Sequence, residues 1–475
     1  MRKTLLAVAL AALLPACSFL NPAYEKPATE LPQNWQTETG EQAGAAGEHW
    51  WTLFNDPVLD QLIAEALEHN HDIAAAAARV QEAEAVLGVT DADRYPVVTA
   101  NGNATRTRSS QATGMSFPGM PVINNDVRLT LNASYEVDVW GKYRHASDAA
   151  RAQLLATEAA RDTVKLTLTA DVAQQYFNLL AADTQVGVLR DVLKTRAESL
   201  ALLKLRNASG LVSDYDLRQT EAEEAAARSQ LAAALKVQDS VQTALAVLLG
   251  RSPRAVMEDG VTRGNVAPVQ TLWVPAGLPS DLLLRRPDIR AAEQNLLAQE
   301  ARIAAARAEY FPSISLTAYL GSESSTFGNL FTGPARIFQF ALGLMQPIFN
   351  ANRLGYNVKA AEARREQAVA DYRKTIANAF GDVRNALTNQ TAARDILQAE
   401  TERIAALTEA KRLADMRYEG GVASLLDALD ADRQLLQAKL IRADAENAQR
   451  AAVVSLFKAL GGGWTKDAGG DQERR

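Results

Sequence analysis

The sequence has little of what builds an enzyme active site or cross-links a small secreted fold. It contains a single cysteine, so no disulfide can form within the chain. Phosphate-binding loops, GxSxG nucleophile elbows and HExxH zinc motifs are missing. The histidines show no spacing typical of metal ligands. They are His49, His69, His71 and His145. We therefore expect neither an enzyme nor a bound metal or cofactor.

Hydrophobic runs long enough for a membrane helix are missing too. The apolar run near the N-terminus, Leu5 to Leu14, has about ten residues, whereas a spanning helix needs about twenty. If this chain crosses a membrane, we expect it to do so with strands. The formal net charge of −6 disfavours nucleic acid as a partner.

Residues 1–16 have the pattern of a secretory signal peptide, with a basic start followed by the short apolar run. Cys17 comes directly after them in the stretch LLPAC, which resembles a bacterial lipobox, although Pro15 replaces the commoner small residue. We predict that Cys17 is lipidated. Ser18 follows it instead of Asp, which is typical of sorting to the outer membrane. The alternative is a free thiol that lies at the cleavage site by chance.

The chain repeats one plan twice. DIAAAAARVQEAEAVLGVTDADRYP (72–96) and DIRAAEQNLLAQEARIAAARAEYFP (288–312) have equal length, and each begins with Asp-Ile and ends with an aromatic residue and proline. Later in each half come GLVSDYDL (210–217) and GVASLLDA (421–428). These matches predict a tandem duplication in which each copy reads helix, strand, strand, helix, helix.

Long proline-free stretches predict unusually long helices. Residues 122–252 and 348–475 contain no proline, and within them 142–208 and 354–419 are rich in Ala, Leu, Glu and Arg. Each of these two would be about 100 Å long as a helix. Their scattered charges leave no face apolar enough for lipid, so we expect closely packed, coiled-coil-like rods in water. A purely fibrous coiled coil is the alternative, and the strands described next argue against it.

The stretch DVRLTLNASYEVDVW (126–140) alternates strictly, with apolar residues at the odd positions from Val127 to Val139. Such a period of two predicts a strand with one apolar and one polar face. We expect the apolar face to contact lipid and the polar face to line a water-filled lumen. The candidate lumen residues are Arg128, Asn132, Glu136 and Asp138. The alternative is an ordinary soluble sheet with one solvated face.

Each half offers two such strands, which is too few for a barrel made by one chain. Lipid-exposed strands must close into a barrel, and known barrels have at least about eight strands. Several chains must therefore share one barrel. Two aromatic residues precede the first and third strands, and two end the second and fourth strands. In an up-and-down order all four therefore lie at the same rim, where an aromatic girdle belongs. They are Tyr95, Trp140, Phe311 and Phe349.

At these residues the chain resembles the outer membrane efflux protein family, the TolC/OprM-like outer-membrane factors. The most specific stretch is LLLRRPDIRAAEQNLLAQEARIAAARAEYFPSISLTA (282–318), supported by YEVDVWGKYR (135–144) and RYEGGVASLLDALDA (417–431). NPAYEKPATELPQNW (21–35) and the lipobox resemble the lipoprotein branch, which is usually paired with resistance-nodulation-division pumps. The resemblance covers nearly the whole chain.

The resemblance implies a mainly α fold with a membrane β-barrel. Three chains would share a twelve-stranded barrel that continues into a long periplasmic α-helical barrel, with a belt of small elements around the middle. The expected segments follow the chain order. They are the signal peptide (1–16), a lipid-anchored N-terminal and belt segment (17–60), the first repeat (61–250), a linker and belt (251–285), the second repeat (286–461) and a disordered tail (462–475).

The resemblance also implies a function. The chain would be the passive exit duct of a tripartite efflux pump and would carry drugs or other small molecules. Its partners would be a periplasmic adaptor and an inner-membrane pump that supplies the energy. Alternatives are a duct for type I protein secretion, a duct for metal-ion efflux, and a structural envelope lipoprotein that transports nothing.

Glycine-containing turns connect long helices at matching places, in ASGLVS (208–213) and EGGVAS (419–424). Glycine ends helices because it adopts a positive φ without penalty. The resemblance implies that these turns form the periplasmic tips that meet the adaptor. The expected contact residues are Gly210, Leu211, Gly421 and Val422. Capping without any contact is the alternative.

The resemblance further places a gate at the second turn. Asp427 and Asp430 lie one helical turn apart and would line the closed aperture, while Asp216 and Tyr418 match positions whose hydrogen bonds hold the tip shut. The family pattern has an arginine where this chain has Ala423, so the usual lock is altered. Two arginines could replace it. They are Arg412 and Arg417. The alternative is that these are solvated surface charges.

We predict that mass spectrometry of the mature N-terminus will show a diacylglyceryl-modified, acylated Cys17, because this is the chain's one cysteine and it directly follows the signal run. An unmodified N-terminus at another residue would contradict the prediction.

Overall fold

A computed structural model describes residues 26–28, 30, 32, 49–110, 112, 121–264 and 282–462. The predicted signal peptide, Cys17 and residues 463–475 of the predicted tail lie outside these residues. The helices are α1 (Pro57–His69), α2 (His71–Ala92), α3 (Lys142–Ala208), α4 (Asp214–Leu248), α5 (Pro253–Glu258), α6 (Leu282–Arg285), α7 (Pro287–Ala308), α8 (Arg353–Glu419) and α9 (Leu425–Ala459). The strands are β1 (Val97–Arg108), β2 (Ile123–Glu136), β3 (Ser313–Ser324) and β4 (Arg336–Met345). Short 3-10 turns lie at Trp50–Phe54, Phe327–Asn329 and Gly333–Ala335.

The two halves of the chain repeat the same order of elements. Helices α3 and α8 have 67 residues each, and α4 and α9 have 35 each. The predicted long helices are therefore confirmed, with α8 beginning one residue before the predicted start. Uninterrupted backbone hydrogen bonding over such lengths needs the observed lack of proline, since an interior proline removes a donor and clashes with the preceding turn. No helix in the described part of the chain combines the length and the apolar character that a membrane crossing requires.

The chain divides into two compact units. The sheet unit contains Arg79–Glu158 and Ala291–Tyr372, and it holds all four strands. The hairpin unit contains Ala159–Arg290 and Arg373–Arg475, together with Thr29–Ala78. In it, the last part of α3 turns back into α4, and the last part of α8 turns back into α9.

In the sheet unit the strands form one antiparallel sheet in the order β1-β2-β3-β4. This up-and-down order was predicted, but β2 and β4 end earlier than the alternation and the aromatic residues suggested. At the end of β2 the N–H of Val139 donates to the carbonyl of Val137 at 2.9 Å, which bends the backbone out of the ladder. Shortly after β4 comes Pro347, which has no N–H to donate to a ladder.

The two faces of the sheet differ sharply. Because directly paired residues share a face, the register assigns one row from each strand to each face. One face is apolar, and eight of its large side chains are exposed over 42% (Leu129) to 86% (Phe338) of their surface. These side chains are Val98, Leu129, Leu131, Leu320, Phe338, Phe340, Leu342 and Leu344. A contiguous exposed apolar face of this kind is typical of strands that contact lipid, and it argues against a soluble sheet.

In the hairpin unit an aromatic cluster holds the N-terminal 3-10 turn against the long helices. Trp50 stacks on Phe457 with ring centroids 5.2 Å apart, and Phe54 lies 4.7 Å from Phe177. All four side chains are buried. Aromatic side chains bury large areas, so this cluster is a major source of stability where the first turn meets α3 and α9.

A buried polar contact lies beside this cluster. Asp56 begins α1 by accepting the N–H of Val58 on Oδ1 at 2.9 Å, and its Oδ2 accepts the hydroxyl of Tyr176 at 2.5 Å. That hydroxyl in turn accepts the N–H of Gly264 at 2.9 Å. Burial, and then the hydrogen bond to Asp56, raise the pKa of Tyr176, so the phenol stays a neutral donor. A Cβ on Gly264 would lie 2.3 Å from Oδ1 of Asp56, so a side chain does not fit there.

We predict that Asp56→Ala lowers the stability of the hairpin unit by about 2–4 kcal/mol, because it removes a helix cap and leaves the buried hydroxyl of Tyr176 without its acceptor. Thermal denaturation of the detergent-solubilised protein, followed by circular dichroism, measures this loss. Thr52→Ala is the matched control, since its hydroxyl bonds the carbonyl of His49 at an exposed position. Equal melting temperatures for the two variants would show that Asp56 does not stabilise the unit.

Candidate functional site

The two hairpin turns of the hairpin unit have the same backbone geometry. Gly210 and Gly421 adopt positive φ values of 74° and 70°. After α3, the N–H of Gly210 bonds the carbonyl of Asn207, and the N–H of Leu211 bonds that of Arg206. The turn after α8 repeats both hydrogen bonds at Gly421 and Val422. This is the Schellman motif, which satisfies the last carbonyls of a helix and needs a left-handed residue at that point.

Both turns expose apolar side chains directly after the glycine. Leu211 is exposed over 76% of its surface and Val422 over 69%. Nothing lies within 4 Å of a Cβ built on either glycine, so the backbone conformation and not crowding selects glycine there. Helix capping therefore explains both glycines. It does not give the exposed side chains of Leu211 and Val422 a structural role within a single chain.

The aspartates that follow the turns cap the next helices. Ser213 donates its hydroxyl to Asp216 at 2.7 Å, and the N–H of Asp216 donates back to that hydroxyl at 3.1 Å. Ser424 and Asp427 form a full capping box, in which Asp427 accepts both the N–H and the hydroxyl of Ser424, at 2.9 and 2.8 Å. The sequence pattern Ser-x-x-Asp, which is present at both turns, is the local cause of these hydrogen bonds at the helix N-termini.

The hydrogen bonds from Ser424, its hydroxyl first and its N–H second, lower the pKa of Asp427, and the positive charge of Arg417 lowers it further. Asp427 is therefore firmly ionised at neutral pH. Arg417, one of the two arginines expected to replace the missing lock, thus acts on this carboxylate through its charge. The other, Arg412, is paired with Glu409 at 2.5 Å.

Asp430 lies three residues after Asp427 on α9 and also has partners. It accepts the amide of Gln434 at 2.6 Å, and the guanidinium of Arg433 lies 3.4 Å away. Among the residues that the structure describes, no hydrogen bond joins Asp216 to Tyr418 within the chain. Asp216 instead accepts from Ser213, as described above.

The hairpin unit also contains a buried ion network that the sequence analysis did not predict. Arg196 of α3 is only 7% exposed, and it bonds Glu223 of α4 at 3.1 Å and Asp432 of α9 at 3.1 Å. Its guanidinium also donates to the backbone carbonyl of Glu223 at 3.0 Å. Lys411 of α8 lies 3.9 Å from Asp432. One arginine thus connects helices of both hairpins, and the network reaches all four helices.

The network also reaches the candidate gate. Arg433 of α9 lies 3.7 Å from Glu223 and 3.4 Å from Asp430. Asp430 is therefore linked through Arg433 and Glu223 to Arg196 at the centre of the network. Displacing either hairpin would separate charges that are largely removed from water, which is costly.

In the sheet unit, three of the four residues predicted to line the lumen lie on β2 as expected. Arg128, Asn132 and Glu136 share the polar face. Arg128 lies 3.6 Å from Glu323 of β3, and Asn132 donates to the hydroxyl of Thr130 at 3.1 Å. The prediction that Asp138 continues this row is wrong.

Asp138 lies beyond the end of β2 and caps α3. Its carboxylate accepts the N–H groups of Tyr143 and Arg144 at 3.2 and 2.8 Å. A carboxylate is favoured at this position because helix N-termini carry unsatisfied N–H groups and a positive partial charge. Because the sequence alternates strictly through Val139, the pattern predicted a strand position for Asp138 and not a helix cap.

Two of the four rim aromatics contact each other. Trp140 stacks on Phe311 with ring centroids 4.8 Å apart, and its indole N–H donates to the carbonyl of Pro312 at 2.8 Å. Tyr95 and Phe349 are exposed. All four lie at the strand ends that connect to helices, but Trp140 and Phe349 follow the strands and do not end them. A ring with a satisfied polar tip and exposed apolar edges suits a membrane interface.

Comparison with known proteins shows which protein family the sequence matches. A family model described as "Outer membrane efflux protein" matches residues 62–251 and 278–462. The cation efflux system protein CusC of Escherichia coli O6:H1 is 35% identical over 464 residues, which cover 97% of this chain and 98% of that protein. The probable outer membrane lipoprotein SilC of Salmonella typhimurium is 33% identical over 97% of this chain and 99% of its own length.

Solved structures show the same fold. The outer membrane channel CmeC of Campylobacter jejuni superimposes with a TM-score of 0.89 at 26% identity, covering 94% of this chain and 96% of that channel. The predicted fold class is confirmed: the chain is mainly helical and contributes a four-stranded sheet, as in trimeric outer-membrane channels.

We predict that Arg196→Met destabilises the hairpin unit by about 3–5 kcal/mol, because it leaves Glu223 and Asp432 without their shared cation. The readout is the melting temperature together with the rate of proteolytic cleavage at the two turns, which should rise. Arg254→Met is the control, since Arg254 forms an exposed pair with Glu258 on α5. If both variants melt and are cleaved alike, the network does not hold the hairpins together.

Proposed function

Because the chain belongs to the outer membrane efflux protein family, we propose that it is the exit duct through which a tripartite pump releases drugs or other small molecules. The channel lies in the outer membrane and extends into the periplasm. A periplasmic adaptor would connect it to an inner-membrane pump of the resistance-nodulation-division type. The duct supplies a passage, while the pump supplies energy and selects the cargo.

The two-faced sheet is the observation that carries this proposal. Its apolar face suits lipid, while its polar face, with Arg128, Asn132 and Glu136, suits water. In a closed barrel the polar face lines the lumen. A purely structural lipoprotein would have no use for a row of polar side chains enclosed in this way.

The exposed residues of the two turns fit an adaptor interface. Leu211 and Val422 lie in Schellman turns whose backbone is fixed by hydrogen bonds. Little conformational entropy is therefore lost when a partner covers these two side chains. Glycine at positions 210 and 421 keeps the backbone in the conformation that presents them. We therefore assign Gly210, Leu211, Gly421 and Val422 to contact with the adaptor.

The carboxylates after the second turn fit a charged aperture. In a trimer, Asp427 and Asp430 from each chain would surround one axis, and such rings of carboxylates attract cations. Mutual repulsion would tend to open the ring. The resting state would be held closed by Arg417 near Asp427, by the Arg196 network, and by contacts of Asp216 and Tyr418 with neighbouring chains.

Metal-cation efflux is the second candidate. It is favoured by the similarity to CusC, whose name describes a cation efflux system, over nearly the full length of both chains. A ring of carboxylates would also assist the passage of cations. The two candidates differ in the cargo that the pump delivers and share the same duct.

The lipid anchor on Cys17 belongs to the same proposal. The relative SilC is named as a probable outer membrane lipoprotein, which supports this modification in the present chain. A barrel embedded in the membrane does not need the anchor for retention, so we expect it to assist delivery and orientation.

We predict that the double variant Asp427→Asn and Asp430→Asn weakens cation selectivity and abolishes block by trivalent cations added from the periplasmic side. Asparagine keeps an acceptor oxygen for Ser424 and removes the charge, so the helix cap is preserved. Single-channel recording in planar bilayers measures both properties. Glu446→Gln is the control, because Glu446 lies farther along α9 and pairs with Arg442.

Selectivity and block in the double variant equal to those of wild type would place the aperture at other residues. Loss of both in the Glu446 variant as well would indicate a general field effect of the lumen and not a gate at the second turn.

A further inference from the structure

Charged residues are distributed unequally between the two faces of the sheet. The polar face carries charges of both signs, and two of them, Arg128 and Glu323, lie 3.6 Å apart. On the apolar face the charged side chains within the four strands are all arginines. They are Arg106 and Arg108 on β1 and Arg336 on β4. This face contacts lipid, and all its charges within the strands are positive. The matching negative charges are therefore to be sought outside the protein.

The three arginines lie at one end of the apolar face. Arg106 and Arg108 are near or at the last residue of β1, and Arg336 is the first residue of β4, just before Phe338. These strand ends are joined by the loops between strands, whereas the opposite ends connect to helices. Since the helices extend into the periplasm, the arginines lie at the outer rim of the barrel.

All three side chains are exposed, and none forms an ion pair or hydrogen bond with another residue in the described part of the chain. An arginine on the lipid face of a barrel is costly at the middle of the bilayer but costs little near the interface. At the rim the guanidinium groups can reach headgroups, and their planar shape suits bidentate bonds to phosphate.

We propose that Arg106, Arg108 and Arg336 bind the phosphate groups of anionic lipids in the outer leaflet. Arg106 and Arg108 are two residues apart on one strand, so they point to the same side about 7 Å apart. In the closed barrel, β1 of one copy adjoins β4 of the next, which adds Arg336 from the neighbouring copy. Each junction between copies then presents one arginine cluster toward the outer leaflet.

A lipid suits this surface better than a free anion or a protein partner. The arginines continue the apolar face that already contacts acyl chains, so one lipid can fill the apolar contact and the charged contact together. Arg128, on the other face, lies beside the carboxylate of Glu323, so its counter-charge comes from the protein itself. The inference depends on the outer-membrane location of the sheet and not on the cargo of the duct.

The test uses the full-length mature protein in detergent and native mass spectrometry with bisphosphorylated lipid A as the probe. Three variants are compared with wild type: Arg106→Gln with Arg108→Gln, Arg336→Gln, and the triple change. Since each basic residue near a membrane surface contributes about 1 kcal/mol, the triple variant should bind about a hundredfold more weakly. Arg128→Gln is the control, and it should bind as wild type does.

Two further measurements make the outcome decisive. Inorganic phosphate at millimolar concentration should not displace the lipid, whereas displacement would show a simple anion site and overturn the proposal. Replacement of all three arginines by lysine should give intermediate binding, because charge is kept and bidentate bonding is lost. Equal lipid binding by wild type and the triple variant would also overturn it. If the triple variant does not assemble, the double and single variants decide in the same way.

Discussion

The unpaired edges of the four-stranded sheet impose the constraint on which the rest of the molecule depends. Within the part of the chain that the structure describes, β1 and β4 each have one side with no hydrogen-bonded neighbour. In the lipid core no water is present to satisfy their backbone groups, and each unsatisfied group costs several kcal/mol. Pairing β1 of one copy with β4 of another removes both edges. The shared barrel and the enclosed polar row both follow from this requirement.

At the hairpin turns, the residues that cap the helices are the ones that we propose for the gate. Asp427 stabilises the start of α9 through its capping box with Ser424, and its charge is then available at the turn. A different residue, Arg196, holds the hairpins together by bonding Glu223 and Asp432 where the charges are largely removed from water. Breaking a buried pair of this kind is costly, so opening of the proposed gate would need a partner that compensates for the loss. A bound adaptor that favours the open arrangement would shift a population that already exists.

The long helices and the strand order could be predicted, because proline-free alanine-rich stretches and period-two alternation are local signals. The C-terminal end of β2 could not be predicted, because the alternation continues through Val139. The backbone has already left the strand at Asp138, which caps α3. The Arg196 network was missed because its partners are distant in sequence. One local signal was present: Arg196 lies seven residues from both Leu189 and Leu203, which are buried on the same helix. An arginine at such a core position indicates a buried partner.

Native mass spectrometry of the mature protein in detergent tests most directly whether chains share one barrel. Four strands per chain and two free edges require association, and the fold shared with trimeric outer-membrane channels fixes the number at three. The account predicts one dominant species with three times the mass of the mature chain. A stable, folded monomer would contradict it, because its sheet edges would then be satisfied without a second copy.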